Sequence, residues 1–242
     1  MLVPIRSALF AIAFYSNLAI WLVACLPLFV LPRAWMFPVA RAWARVNLWL
    51  LRVITGMKVE WRGLENIPPG GLLVAAKHQS AWETFALVVV FPRPVFIMKK
   101  ELTHLPLFGW YLQRAGMIAI DRAAGASALT SMARQAQEKA ETGHQIIIFP
   151  EGTRRAPGAP PDYKPGVAFL YDNLKVPCLP IALNSGLFWP RQSAVRNPGT
   201  VVVSMLPPLP PGIPRKQILQ QLKDRIEPET AHLLAETDRY KP

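Results

Sequence analysis

The longest apolar stretch opens the chain. Between Arg6 and Arg33 the only ionisable side chains are Tyr15 and Cys25, and residues 8–31 are long enough to cross a hydrocarbon core of about 30 Å as a helix. Ser16 and Asn17 interrupt the run, and Pro27 and Pro32 predict a kink or an end. Beyond Arg33 the pattern changes: Trp35, Trp43 and Trp49 alternate with Arg41, Arg45 and Arg52. On a helix those last three arginines fall within about 40° of one another, a basic stripe suited to the lipid headgroup layer. Three readings fit residues 1–56. One is a removable signal peptide, because Leu22-Val23-Ala24-Cys25 resembles a lipoprotein cleavage box, although the chain stays apolar through Leu31. The second is a transmembrane anchor. The third is a two-helix hairpin entering one leaflet, with Arg33, Arg41, Arg45 and Arg52 holding the following domain on the cytoplasmic face of the inner membrane. A buried core helix is disfavoured, since a domain this size has little room for so long an uncharged helix.

From Met57 onward apolar runs alternate with helical periodicity. Strands are expected at 57–61, 72–76, 95–98, 117–120, 145–149, 179–183 and 200–205. The clearest helix is 127–140, where Leu129, Met132, Ala133, Ala136 and Ala140 recur at helical spacing ahead of Gly143. Residues 207–214 form a proline-rich connector to a last amphipathic helix, restarted near Pro228. The pattern predicts an α/β fold over residues 57–242: a mixed, largely buried sheet flanked by helices and preceded by the N-terminal helical segment. In such folds chemistry gathers where strands run out into loops.

Composition narrows the classes. Of 242 residues 52% are hydrophobic and 17% charged, against about 25% charged in an average domain. Such a chain collapses rather than staying disordered, and two cysteines exclude a disulfide scaffold. The 27 basic and 15 acidic residues leave +12, which calls for an anionic partner.

Four segments carry candidate chemistry. In the first, His78 follows the apolar strand 72–76 and Glu83 lies five residues on. If the chain turns between them, Glu83 can orient the imidazole as a base is oriented in hydrolytic triads. Ser80-x-x-Glu83 reads equally well as a helix capping box. In the second, an apolar strand stops at Pro150 and opens into Glu151-Gly152-Thr153-Arg154-Arg155, with a guanidinium suited to phosphate. The third, Gly116 to Arg122, is a strand ending in an arginine, and the fourth, 176–186, is a strand between prolines ending in Asn184-Ser185-Gly186. Each of the last three alone also suits ordinary scaffold. The histidines lack metal-ligand spacing, and no Walker-type glycine loop or Gly-x-Ser-x-Gly elbow is present. Cys178 sits in an apolar run, where a thiol stays protonated.

Taken together and in this order, the four segments resemble the glycerolipid acyltransferase family, over residues 78–186. That family shows a histidine with an acid five residues later, then Gly-x-x-x-Ile-Asp-Arg, then Phe-Pro-Glu-Gly-Thr-Arg, then a proline-flanked apolar block. The acid is usually aspartate, and here it is Glu83. The resemblance implies transfer of a fatty acyl group from acyl carrier protein or coenzyme A thioester to the sn-2 hydroxyl of lysophosphatidic acid, with no cofactor. It implies His78 as general base and Glu83 as its partner. Arg154 and Arg122 would hold the phosphate, with Lys99 or Lys100 assisting. Glu151, Gly152 and Thr153 would shape that loop or bind the glycerol. Another lysolipid, such as lyso-ornithine lipid, remains an alternative acceptor, and a non-catalytic membrane-binding protein is the rival outside the enzymes. Nucleic acid is not expected as a partner, because the densest aromatic and basic stripe lies on the hydrophobic N-terminal segment and no recognition module is visible.

Overall fold

Strand β2 (Leu72–Ala76) is buried along its whole length, and its apolar run faces both ways. Leu72, Val74 and Ala76 point into one core layer and Leu73 and Ala75 into the other. The computed structural model describes residues 2–121, 123 and 125–238, and in it β2 is central to a seven-stranded sheet. The other strands are β1 (Met57–Arg62), β3 (Pro94–Lys99), β4 (Ile118–Ile120), β5 (Gln145–Ile148), β6 (Cys178–Leu183) and β7 (Gly199–Met205), in the order β1-β7-β6-β2-β5-β3-β4. Neighbours are parallel except β6 and β7. The five parallel strands β2 to β6 therefore end at one edge, and the reversal at β7 brings the beginnings of β7 and β1 to that same edge. All seven strands stand within a residue or two of their expected places.

Helices α5 (Gly125–Glu141), α6 (Gly166–Leu174) and α8 (Arg215–Asp238) cover one face, while two short helices, α4 (Phe108–Ala115) and α7 (Ser185–Phe188), lie in the β3–β4 and β6–β7 connections. Gly143, at φ +80°, closes α5 with the back-bonds Gly143 N–H to Ala140 O and His144 N–H to Lys139 O. The restart expected in the last helix is corrected: α8 runs unbroken, with Pro228 inside it. The hydrogen bond lost at Pro228 is offset by burial of Ile218, Leu222, Ile226 and Leu233 against the sheet.

The opposite face is covered by α1 (Leu2–Ala24), α2 (Met36–Leu50) and α3 (Glu83–Val90). Helix α1 is long and apolar enough to cross a membrane, but its first half leans on the domain. Phe10 is 1% exposed and meets Trp189 edge-on at 5.7 Å, and Ser7 Oγ accepts from the Arg196 backbone N–H at 2.8 Å. Helix α2 packs along α3, so Phe10, Ala44 and Leu51 share a core layer with β2. The basic stripe is divided. Arg41 Nη2 donates to the carbonyls of Phe91 (3.2 Å) and Pro92 (2.9 Å), beyond the end of α3. The Arg33 guanidinium lies where a Cβ on Gly116 would stand, 1.6 Å from the ideal position, and only glycine suits that residue at φ +76°. Arg45 and Arg52 remain exposed beside Trp49.

This division of α1 has a measurable consequence. Phe10→Ala should destabilise the protein by about 3–5 kcal/mol in denaturant unfolding in neutral detergent, whereas Leu9→Ala, at an exposed neighbour, should change stability by less than about 0.5 kcal/mol.

Candidate active site

The histidine stands where β2 gives out. His78 is 13% exposed, and its ring lies flat on Phe149 at 3.9 Å and 15°. Phe149 follows β5, the parallel neighbour of β2, so pairing of the two strands carries ring onto ring. The backbone N–H of Arg155 donates to the His78 carbonyl at 2.8 Å, tying the two motifs together a second time.

Glu83 opens α3 and is fully buried. Its Oε1 faces His78 Nδ1 at 3.3 Å and accepts from the backbone N–H groups of Gln79 (2.6 Å) and Ser80 (2.8 Å). Oε2 accepts from Ser185 Oγ at 3.1 Å. The two sequence readings of Ser80-x-x-Glu83 are thus one structure, in which the carboxylate caps the turn and orients the imidazole with the same oxygen. With Nδ1 donating to Glu83, Nε2 is the nitrogen left to accept a proton. Ser185 and Gly186, whose N–H donates to Gln79 Oε1 at 3.0 Å, come from the end of β6. That polar turn after a buried strand was the one trace of Ser185 in the sequence.

The loop after β5 separates into buried and open parts. Glu151 is 1% exposed and Gly152 turns at φ +64°. Thr153 is exposed, and the half-buried Arg154 guanidinium has no protein acceptor among the described residues. Arg191 donates to the Arg154 carbonyl at 2.9 Å and places a further guanidinium there. Lys100 stands two strands from His78, beyond β3, where it meets Asp121 at 3.3 Å. It lines a cavity of about 760 Å³ with Thr103, His104, Gln113 and Ser131, and neither His78 nor Arg154 borders that space. Arg122 lies outside the described residues. Lys164 pairs with Asp162 at 2.7 Å just before α6. Burial pushes the Cys178 thiol up to about 12.

Sequence reasoning missed Lys77 and Glu227. The ammonium of Lys77, 3% exposed, lies 2.9 Å from Glu151 Oε1 and 2.9 Å from Glu227 Oε1 on α8, and Tyr163 OH donates to Glu227 at 2.7 Å. A lysine beside a histidine in a polar turn reads as a solvated charge, and a lone glutamate on a surface helix carries no signal at all. Glu151 still titrates above its ordinary value, because burial outweighs the nearby ammonium. A raised carboxyl binds its proton more tightly folded than unfolded. Its contribution to stability is therefore fullest below the ordinary value of 4.5 and falls as pH rises through the raised one. Lys77→Met strands the buried Glu151 carboxylate beside the partly buried Glu227 and should destabilise by about 3–5 kcal/mol at pH 8. The deficit in melting temperature should narrow as the pH is lowered toward 5.

Residues 58–184 match the family described as Acyltransferase. The chain is 36% identical over 236 residues to the 1-acyl-sn-glycerol-3-phosphate acyltransferase of Pseudomonas aeruginosa, covering 96% of this chain and 91% of that one. It is 32% identical over 169 residues to the human 1-acyl-sn-glycerol-3-phosphate acyltransferase alpha, covering 69% and 60%. The crystal structure of the 1-acyl-sn-glycerophosphate (LPA) acyltransferase PlsC from Thermotoga maritima superposes with a TM-score of 0.80 at 21% identity, over 96% of this chain and 97% of that chain, which establishes the shared fold. The family match over residues 58–184 and the likeness to the Pseudomonas enzyme together show that the chain belongs to the acyltransferase family.

Proposed function

We propose that this acyltransferase moves a fatty acyl group from a thioester of acyl carrier protein or coenzyme A to the sn-2 hydroxyl of lysophosphatidic acid, giving phosphatidic acid for phospholipid synthesis. The observation that carries the reading is His78, with Nδ1 on Glu83 and its backbone carbonyl held by the arginine loop. The names of the Pseudomonas and human relatives supply the acceptor.

His78 Nε2 takes the hydroxyl proton as the oxygen attacks the thioester carbonyl. The tetrahedral adduct collapses, the carbon–sulfur bond breaks, and the leaving thiolate recovers the proton from the imidazolium. The acyl group passes directly to the acceptor, with no covalent acyl-enzyme and no cofactor. Glu83 stabilises the transient cation and fixes the ring. Arg154 offers a two-pronged grip on the phosphate, with Arg122 and Lys100 as further cations and Gly152 and Thr153 against the glycerol. Glu151, whose Oε1 is occupied by Lys77, shapes the loop. Residues 1–56 form the membrane-associated segment and residues 57–242 the catalytic domain, which works at the cytoplasmic face of the inner membrane. Both substrates are anionic, in keeping with the +12 charge.

Two variants test the roles. His78→Ala should lower turnover at least 100-fold in an acyl-transfer assay with purified protein, while vesicle binding is unchanged; retained turnover would remove the base. Arg154→Ala should raise KM for lysophosphatidic acid about 10-fold or more, the loss of one charge-assisted bond pair, with little change for a lysolipid that lacks a phosphate. A panel of lysolipids run with both donors identifies the acceptor and the thioester.

A further inference from the structure

Helix α4 belongs to the connection between β3 and β4, yet its side chains reach back to the N-terminal segment. A helix ends on carbonyls that no helical N–H reaches, and at the end of α1 and in the turn after it α4 supplies donors. Tyr111 OH donates to the Leu22 carbonyl at 2.9 Å. Arg114 donates from Nε to the Leu28 carbonyl at 3.4 Å and from Nη2 to the Leu31 carbonyl at 2.6 Å. The rings of Phe29 and Tyr111 meet at 4.7 Å. Where the chain returns toward α2, the Arg33 guanidinium lies against Gly116, just past the end of α4. From Leu22 to Arg33 the turn is therefore fastened to α4.

The turn so held is poorly suited to water. Between Leu26 and Pro32 it carries no polar side chain, and Val30 is 87% exposed, with Leu26 and Leu31 exposed beside it. Trp110 adjoins that surface. It stands one helical turn before Arg114, on the same side of α4, and is 55% exposed. Past the turn, Trp35 is 57% exposed. Soluble surfaces rarely keep contiguous apolar patches without a partner. In hydrocarbon, backbone carbonyls must be satisfied within the protein, and Tyr111 and Arg114 do this for the turn. Tryptophan and arginine bordering an apolar tip match the headgroup depth of a bilayer.

We infer that α4 is part of the membrane-contacting surface: the turn enters the acyl chains at Val30 and Leu31, and Trp110 and Trp35 lie beside it at headgroup depth. This contact rests on the membrane association proposed for residues 1–56 and adds to it an element of the catalytic domain. The partner is a lipid bilayer irrespective of headgroup charge, because the surface is apolar and the Arg114 guanidinium is engaged by carbonyls.

The test is co-sedimentation of the full chain with vesicles of phosphatidylcholine, whose zero net charge leaves apolar insertion as the term being read. Val30→Ser and Trp110→Gln should each weaken binding about 10-fold or more, while Trp110→Phe should stay within about three-fold of wild type. Leu64→Gln removes an exposed leucine after β1, at the opposite end of the sheet from β4, and should bind as wild type does. Loss at Val30 with full binding by Trp110→Gln would overturn the role of α4 and leave the membrane association of the N-terminal segment standing. Absence of wild-type binding would remove that association and this contact together. Equal losses in Leu64→Gln and Trp110→Gln would mean unspecific adsorption and would also overturn the contact. A wild-type dimer in neutral detergent that Trp110→Gln converts to monomer would assign the surface to a second copy of the chain instead. Sedimentation requires no turnover, so its failure is distinct from failure of the proposed reaction.

Discussion

A carboxylate at zero exposure is the constraint around which this site is arranged. Glu83 would be expensive to bury without compensation, and four groups converge on it: two backbone N–H groups from the turn, the serine hydroxyl after β6, and the imidazole of His78. Each fixes something else in turn. The backbone donors oblige residues 79–80 to fold back over the start of α3, and Ser185 holds the end of β6 against that turn. The imidazole is left with one conformation, Nδ1 inward and Nε2 outward. The added methylene of glutamate matters here. It lets a side chain on the first helical turn reach back past two backbone amides and still meet a ring five residues earlier.

The histidine also has to be held from beneath. Lys77, its neighbour, points into the other layer of the molecule and is locked between Glu151 of the arginine loop and Glu227 of α8. Buried ion pairs are weak sources of net stability but stringent about geometry, because removing one partner leaves a stranded charge. The same arrangement gives α8 a part in the site without contact to His78. It also accounts for the unbroken run of that helix through Pro228: the residue before the proline, Glu227, accepts from both Lys77 and Tyr163, so this turn of helix is fixed from outside.

Much of this could be read from the chain. The sheet was legible because parallel strands buried on both faces leave continuous apolar runs, of which 72–76 and 146–149 are the plainest. The His78 and Glu83 pair was legible from spacing, although spacing could not say that the capping box and the dyad coincide. What escaped was tertiary in origin. Lys77, Ser185 and Glu227 become partners only when strands β2, β5 and β6 are laid side by side and α8 crosses them. Helical periodicity put Arg41 and Arg45 in one stripe, yet whether an arginine meets a carbonyl or solvent depends on what packs beside it, and Phe91 and Pro92 stand beside Arg41 alone.

The reversal at β7 has the widest reach. Were β7 parallel to β6, the start of β1 would lie at the far edge of the sheet, and the helices before it would be carried away from His78. Because β7 runs antiparallel to β6 and β1 follows β7, Met57 stands at the edge where β2 ends. The chain preceding Met57 is a π-helical turn, Leu51–Thr55, and α2, and before those the long apolar α1. One antiparallel pairing thus brings the oiliest part of the molecule to the edge of the sheet at which His78 stands.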